Sequence, residues 1–213
     1  MTNDKICYIV GAGENYGLDF VPRPRDFVIG ADGGFAHLKQ SHIAADLVIG
    51  DFDSLDCMPD HPVVVALDKK KDETDAFAAV REGIKRGYRE FWFYCCTGGR
   101  IDHTIANMQL LAHLSQNGLK GRLVAKDQII AAVTDGGISF APYSGGYISV
   151  FSHSGTSVGV YLKGLKYELE DAELTNTFPI GVSNEFVGGE SAVSVGRGTL
   201  IVVFPKEAKD KMH

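Results

Sequence analysis

Asp51 and Asp53 stand two residues apart, just after the apolar run Leu47–Gly50. In extended backbone, residues i and i+2 project to the same side, so both carboxylates face one way while Phe52 turns inward. Two unit charges about 4 Å apart repel by about 4 kcal/mol at an effective dielectric of about 20. A site that gathers these two and Asp75 therefore calls for a cation. Hard oxygen ligands suit Mg²⁺, which keeps several waters and bridges to substrate phosphates. Asp-x-Asp-Ser is also a common turn or helix cap. What favours the metal is the company it keeps, because three more apolar runs end in the same way. Asp32-Gly33-Gly34 follows Phe27–Ala31, the stretch from Lys69 to Asp75 follows residues 63–67, and Thr97-Gly98-Gly99-Arg100-Ile101-Asp102-His103 follows residues 91–96. Open α/β sheets bind their ligands beyond the carboxyl ends of parallel strands.

Thr97-Gly98-Gly99-Arg100 offers open backbone N–H groups and a guanidinium at a strand-to-helix turn, a combination that favours anionic oxygens. Asp72 and Glu73 read as acids capping a helix start. Asp75 is the candidate metal ligand of that segment, and Lys69–Lys71 reads as a solvated loop with room for one phosphate-facing lysine. His103 reads as a cap or surface residue. No Walker A pattern is present, so this is not a P-loop enzyme. Gly11-Ala12-Gly13-Glu14-Asn15-Tyr16-Gly17 misses the dinucleotide fingerprint by one position, with Asp32 about 20 residues on where a ribose-binding acid would stand. That leaves a nicotinamide-dinucleotide-binding oxidoreductase as the alternative, although such a fold has no use for Asp51, Asp53 and Asp75. Gly181-Val182-Ser183-Asn184-Glu185-Phe186 reads as a polar turn between strands.

These residues need elements to hold them. Ile6–Val10, Phe27–Ala31, Leu47–Gly50 and residues 63–67 and 91–96 are short apolar runs without alternation, as buried parallel strands are. Helices are predicted at 74–86, with Phe77, Val80 and Ile84 on one face, and at 102–116, with Ile105, Met108 and Leu111/Ala112 inward and Gly118 as the stop. From about Lys126 the pattern changes to short β segments at 129–133, 138–141, 147–151, 157–162, 192–195 and 199–204, separated by glycine turns. The expectation is two domains. Residues 1–125 form a three-layer α/β domain with a mostly parallel sheet, and residues 126–213 an antiparallel β-sandwich or barrel. The charged end, 206–213, is expected to fray.

The chain has 213 residues, 45% of them hydrophobic and 23% charged, with a net charge of −6. That is long enough for a core without staples, and too acidic for nucleic acid as a main partner. No apolar run reaches membrane-spanning length, and the first residues do not read as a signal peptide. The four cysteines show no C-x-x-C spacing and read as reduced, buried thiols of a cytoplasmic protein. Glycine is over-represented at 25 residues, where about 15 would be usual, and it clusters after the apolar runs.

Taken in order, Gly30-Ala31-Asp32-Gly33-Gly34, Gly50-Asp51-Phe52-Asp53-Ser54, Lys71-Asp72-Glu73-Thr74-Asp75, Gly98-Gly99-Arg100-Ile101-Asp102-His103 and Ser183-Asn184-Glu185 resemble the thiamine pyrophosphokinase (thiamine diphosphokinase) family over nearly the whole chain. The resemblance implies an ATP- and Mg²⁺-binding α/β domain, a β-sandwich that binds thiamine, and a homodimer with composite active sites. It implies transfer of pyrophosphate from ATP to the thiamine hydroxyl, giving thiamine diphosphate and AMP. A non-catalytic thiamine- or nucleotide-binding protein is the remaining alternative. By the same resemblance Asp51, Asp53 and Asp75 would hold Mg²⁺. Asp32, Gly33, Lys71, Asp72, Gly98, Gly99 and Arg100 would face ATP and its phosphates, with Arg100 and Asp102 in the catalytic set. Ser183 and Asn184 would meet the aminopyrimidine. A tryptophan near the C-terminus that stacks on thiamine in some members has no counterpart here; Trp92 lies in a predicted buried strand, and Phe186 or another aromatic would have to take its place.

Overall fold

The structure, a computed structural model, describes residues 5–52, 60–68 and 72–213. Asp53, Ser54 and Lys69–Lys71 lie outside the described residues. The chain forms two compact units, Met1–Asn107 with Leu123–Ala125, and Met108–Arg122 with Lys126–His213.

In the first unit the apolar runs are parallel strands: β1 (Ile6–Val10), β2 (Phe27–Ala31), β3 (Leu47–Gly50), β4 (Val64–Ala66) and β5 (Glu90–Tyr94). Their order is β5-β1-β2-β3-β4, with Tyr8 opposite Val28 on one side and Trp92 on the other. β3 is buried along its whole length, as a central parallel strand must be. Helix α1 (Gly34–Gln40), which the sequence pattern did not announce, follows β2 directly.

Helix α2 (Asp75–Lys85) starts from Thr74, whose hydroxyl accepts the Phe77 N–H at 3.2 Å. The N-cap is therefore Thr74, and neither Asp72 nor Glu73 takes that role. The buried face also differs from the predicted one. α2 turns Ala76, Ala79, Val80 and Gly83 inward and leaves Ile84 exposed. A Cβ on Gly83 would lie 2.6 Å from the Phe91 ring, so close packing on the sheet selects small residues over large ones. Helix α3 (Ile101–Gln116) runs from the first unit into the second. It buries Asn107, Leu110, Leu111 and Leu114, while Ile101 and Ile105 face solvent. Strand β6 (Lys120–Val124), also unannounced, follows it.

The second unit is antiparallel. Its strands are β7 (Gln128–Thr134), β8 (Gly137–Phe140), β9 (Ser144–Ser152), β10 (Thr156–Lys163), β11 (Leu169–Thr175), β12 (Asn184–Val187), β13 (Ser191–Arg197) and β14 (Thr199–Pro205). One run of neighbours is β12-β9-β14-β7 and the other sheet is β11-β10-β13-β8. Phe140 of one meets Phe186 and Phe204 of the other edge-on, with ring centroids 5.2 and 5.0 Å apart, so the apolar faces close on each other as a sandwich. Fully burying each Val, Ile or Leu of that interior contributes roughly 1.5–3 kcal/mol.

Two corrections concern this unit. β11 reads LEDAELT and escapes a hydrophobic pattern search because it is an edge strand, where charge discourages further pairing. The chain end does not fray. Residues Lys206–Lys211 form a 3₁₀ helix with Ala208 buried, Ala141 N–H donates to the Lys211 carbonyl at 2.8 Å, and His213 N–H to that of Ser139 at 2.8 Å.

Candidate active site

Three of the five parallel strands of the first unit release their chain through a sharp exit. Asp32 after β2, Phe52 after β3 and Cys95 after β5 all take the left-handed conformation, with φ of 51°, 55° and 52°. Side chains other than glycine pay for that conformation, and such residues gather at binding sites. Phe52 points inward, as its spacing requires: it is 5% exposed and its ring lies against Gly50. Gly34, the first residue of α1, carries no side chain because a Cβ there would collide with the Val10 carbonyl oxygen. That contact brings the start of α1, with Asp32 and Gly33, close over the end of β1.

The ends of β1, β2 and β5 surround a cleft of about 680 Å³. Asp32, Asp75, Gly98, Gly99 and Arg100 line it, together with residues 11–14, His103 and Asn107. Asp75 reaches it because the Thr74 cap makes Asp75 the first residue of α2. Asp51 lies at the exit of β3, partly exposed, and does not line this cleft. Asp72 is exposed and Glu73 is paired with Arg81 at 2.7 Å; neither lines the cleft. Among the described residues, no three acidic, histidine or cysteine side chains gather around one point. Asp32, Asp51 and Asp75 at these strand ends offer carboxylates, the hard oxygen chemistry that Mg²⁺ takes with only one or two protein ligands.

Arg100 and Asp102 form a two-pronged pair, with Nε donating to Oδ1 at 3.2 Å and Nη2 to Oδ2 at 2.5 Å. The guanidinium holds the Asp102 carboxyl below the usual carboxylate range, assisted by the His103 backbone N–H. The carboxylate in turn raises the guanidinium further above neutrality. Asp102 thus orients the guanidinium.

The glycines after β1 have a structural task. Gly11 N–H donates to Tyr94 O at 2.9 Å, Gly13 N–H to Cys95 O at 2.7 Å, and Glu14 N–H to Thr97 O at 3.0 Å. A Cβ on Gly13 would lie 2.6 Å from the Thr97 carbonyl oxygen. The segment zips against the exit of β5, and the next helix starts only at Gly34, so the geometry of a dinucleotide turn is missing. Burial pushes the Cys95 thiol up to about 11 and the Cys96 thiol to about 12, and it raises Cys7 as well. These thiols are buried and inert, as expected of them; Cys57 lies outside the described residues.

In the second unit, Ser183 is left-handed with φ of 58°, and its N–H donates to Ser149 Oγ at 3.1 Å. Asn184 opens β12 and is 3% exposed. Its amide donates to the Tyr167 carbonyl at 2.6 Å and accepts the N–H groups of Tyr167 and Glu185, both at 2.9 Å. The side chain therefore clamps the Tyr167 backbone, and the Tyr167 ring stands exposed beside it. Phe186 is buried against Phe140 and Tyr143, which removes it as a stacking surface. Sequence reasoning overlooked Glu14, on the cleft wall, and Tyr167. The only signal for Glu14 was its place in a glycine run weighed against the wrong motif.

Residues 22–123 match the family model described as "Thiamin pyrophosphokinase, catalytic domain", and residues 137–200 match "Thiamin pyrophosphokinase, vitamin B1 binding domain". The thiamine pyrophosphokinase of Bacillus subtilis (strain 168) is 28% identical over 182 residues, which is 82% of this chain and 85% of that protein. A crystal structure of the Bacillus subtilis protein superposes with a TM-score of 0.81 at 25% identity, covering 94% of this chain and 99% of that one. The Geobacillus thermodenitrificans thiamin pyrophosphokinase structure shares the fold, with a TM-score of 0.81 at 24% identity over 94% of this chain and 97% of that one. Neither the nicotinamide reading nor the non-catalytic reading finds support in these matches. The two family models fall in chain order on the two halves of the molecule and together cover more than half of it, so the chain belongs to the thiamine pyrophosphokinase family.

Proposed function

We propose that this diphosphokinase transfers pyrophosphate from ATP to the hydroxyl of thiamine in the cleft at the carboxyl edge of its parallel sheet, with Mg²⁺ as cofactor. The observation that carries the reading is the convergence of Asp32, Asp75 and the Gly98-Gly99-Arg100 loop on one cleft. Asp51, Asp53 and Asp75 would hold Mg²⁺, which supplies charge neutralisation to the phosphoryl oxygens when bound. Asp32, Gly98 and Gly99 face the nucleotide and its phosphates, Gly33 and Lys71 would approach them from the adjoining loops, and Asp72, which does not line the cleft, would meet them only from outside it. The thiamine hydroxyl attacks the β-phosphorus in line, its proton passing to the carboxylate of Asp75 or Asp102; the bond from that phosphorus to the oxygen bridging to the α-phosphorus breaks, and AMP leaves. Arg100, oriented by Asp102, stabilises the charge that develops on the transferring group. Little covalent work falls to the protein, so positioning carries the rate.

Ser183 contacts the aminopyrimidine, and Asn184 acts through the Tyr167 segment it clamps. The active form is a homodimer with thiamine bound between the first unit of one subunit and the second unit of its partner. The exposed apolar side chains of Tyr147, Phe178, Ile180 and Val187 on the second unit are the kind of surface such an assembly covers. The expected location is the cytoplasm, where ATP is available; no described helix is long and apolar enough to cross a membrane.

The test is an assay of AMP formation from ATP and thiamine. Activity should require Mg²⁺, vanish with excess chelator and return when Mg²⁺ is restored. Undiminished turnover in chelator would remove the metal from the reading, and failure to form AMP from thiamine would remove the reading itself.

A further inference from the structure

The parallel sheet changes its direction of growth at β1. Strands β2, β3 and β4 add on one side and β5 on the other. Open α/β sheets take nucleotides in the crevice at such a reversal. Its two lips here are the loop after β1 and the exit of β5, and Glu14 spans them. The Glu14 N–H donates to Thr97 O at 3.0 Å. Its side chain lies across Gly98, where an added Cβ would come 2.7 Å from Glu14 Cγ. Gly98, with φ of 80°, makes room for it on two counts, conformation and space. The carboxylate is fixed in turn, since Oε2 accepts the Tyr16 hydroxyl at 2.8 Å. That bond raises the Tyr16 phenol above its ordinary value. Among the described residues, no ion pair engages Glu14.

A fixed carboxylate on a cleft wall accepts hydrogen bonds and repels phosphoryl oxygens, so the group it meets must offer donors. Asp32 and Asp75 occupy the other side of the cleft, after β2 and β4, where a cation with the terminal phosphates belongs. The sugar end of the nucleotide then falls to the β1–β5 side. We infer that Glu14 accepts hydrogen bonds from the ribose hydroxyls of the nucleotide and so distinguishes a ribonucleotide from its deoxy analogues. The inference rests on the diphosphokinase reading with ATP as donor.

The test is equilibrium binding of ATP, 2′-deoxy-ATP and 3′-deoxy-ATP, each with Mg²⁺, to the full chain and to Glu14→Ala, Glu14→Gln and Tyr16→Phe. The unaltered protein should bind ATP about tenfold or more tightly than at least one deoxy analogue, the usual loss for a missing charge-assisted hydrogen bond. Glu14→Ala should bring ATP down to the level of that analogue while leaving the analogue's own affinity unchanged. Glu14→Gln, which keeps an acceptor without the charge, and Tyr16→Phe, which releases the carboxylate, should each retain part of the preference. A general loss of structure would weaken all three ligands alike and leave their ratio standing. Equal binding of all three by the unaltered protein, or an unchanged ratio in a Glu14→Ala protein that still binds the deoxy analogues with unaltered affinity, overturns the inference while leaving the diphosphokinase reading intact. Loss of thiamine binding alone in Glu14→Ala overturns it too, because the carboxylate would then serve the acceptor substrate. Failure of the unaltered protein to bind ATP or form AMP would overturn both.

Discussion

Asp75 owes its place to the backbone: Thr74 caps the helix, and the carboxylate follows as its first residue. Replacing Asp75 or Asp51 with Asn should lower kcat by about 10²-fold, or about 3 kcal/mol of transition-state stabilisation. The melting temperature should hold, since crowding of like charges is relieved. Initial rates with ATP and thiamine, read beside a thermal melt, check this; near-normal turnover of Asp75→Asn would leave that residue only the role of a first-turn acid beside the helix dipole. The thiols at the exit of β5 belong to the same scale. With burial pushing Cys95 to about 11 and Cys96 to about 12, fewer than about one molecule in a thousand carries either thiolate at neutral pH. Iodoacetamide at pH 7.5 should leave both unmodified in the folded protein, as peptide mass mapping would record. Asp32, Asp75, Gly98, Gly99 and Arg100 were legible in the sequence because a rule about strand ends needs only pattern. The clamp that Asn184 makes was not, because its partners are backbone atoms of Tyr167, 17 residues away, and no local spacing reveals them.

The strands of the first unit were legible because burial on both faces makes them continuously apolar. The helix faces are legible only in part: Val80, Leu111 and Ala112 are buried as expected, but α2 also meets the sheet through Ala76, Ala79 and Gly83, and a search for large apolar side chains points instead to Ile84, which faces water. Charged β11 and the short α1 escaped notice for want of a hydrophobic signature. The start of β1 is tied by a carboxylate. Asp26 accepts the N–H groups of Ile6 at 2.8 Å and Arg23 at 2.9 Å, and pairs with the Arg23 guanidinium at 2.9 Å. Burial works to raise its carboxyl, but Arg23 and the two backbone donors outweigh burial, and the net shift is downward. A depressed folded-state value stabilises at pH above the unfolded value of about 3.9, and that contribution is lost as pH falls through the folded value. Asp26→Asn should therefore destabilise by about 1–3 kcal/mol near neutral pH, and the gap to the unaltered protein should close below about pH 4. Urea melts of both proteins across pH 2–7 measure it; a constant gap would assign the effect to shape instead of charge.

At the scale of the whole molecule, the switch from parallel to antiparallel patterning was readable from the glycine turns that replace helices after residue 126, and the chain end was misread because its anchoring uses backbone groups that no charge pattern reveals. A composite dimer makes a prediction at this scale. Asp75→Asn and Asn184→Leu proteins, each inactive alone and each verified as folded, are mixed and allowed to exchange subunits. Random assortment makes about half the dimers mixed, with one intact site of two, so activity should return to about a quarter of the unaltered level. No recovery after demonstrated exchange would mean that each site is built within one chain. The left-handed residues at the strand exits carry a consequence for breeding this protein toward heat tolerance. Asp32, Phe52 and Cys95 each hold roughly 1–2 kcal/mol of conformational cost, a sizeable share of the 5–15 kcal/mol or so by which domains outlast unfolding. A library screened only for survival on heating would be drawn to glycine at Asp32, the least buried of the three, and its winners there would be the poorest catalysts.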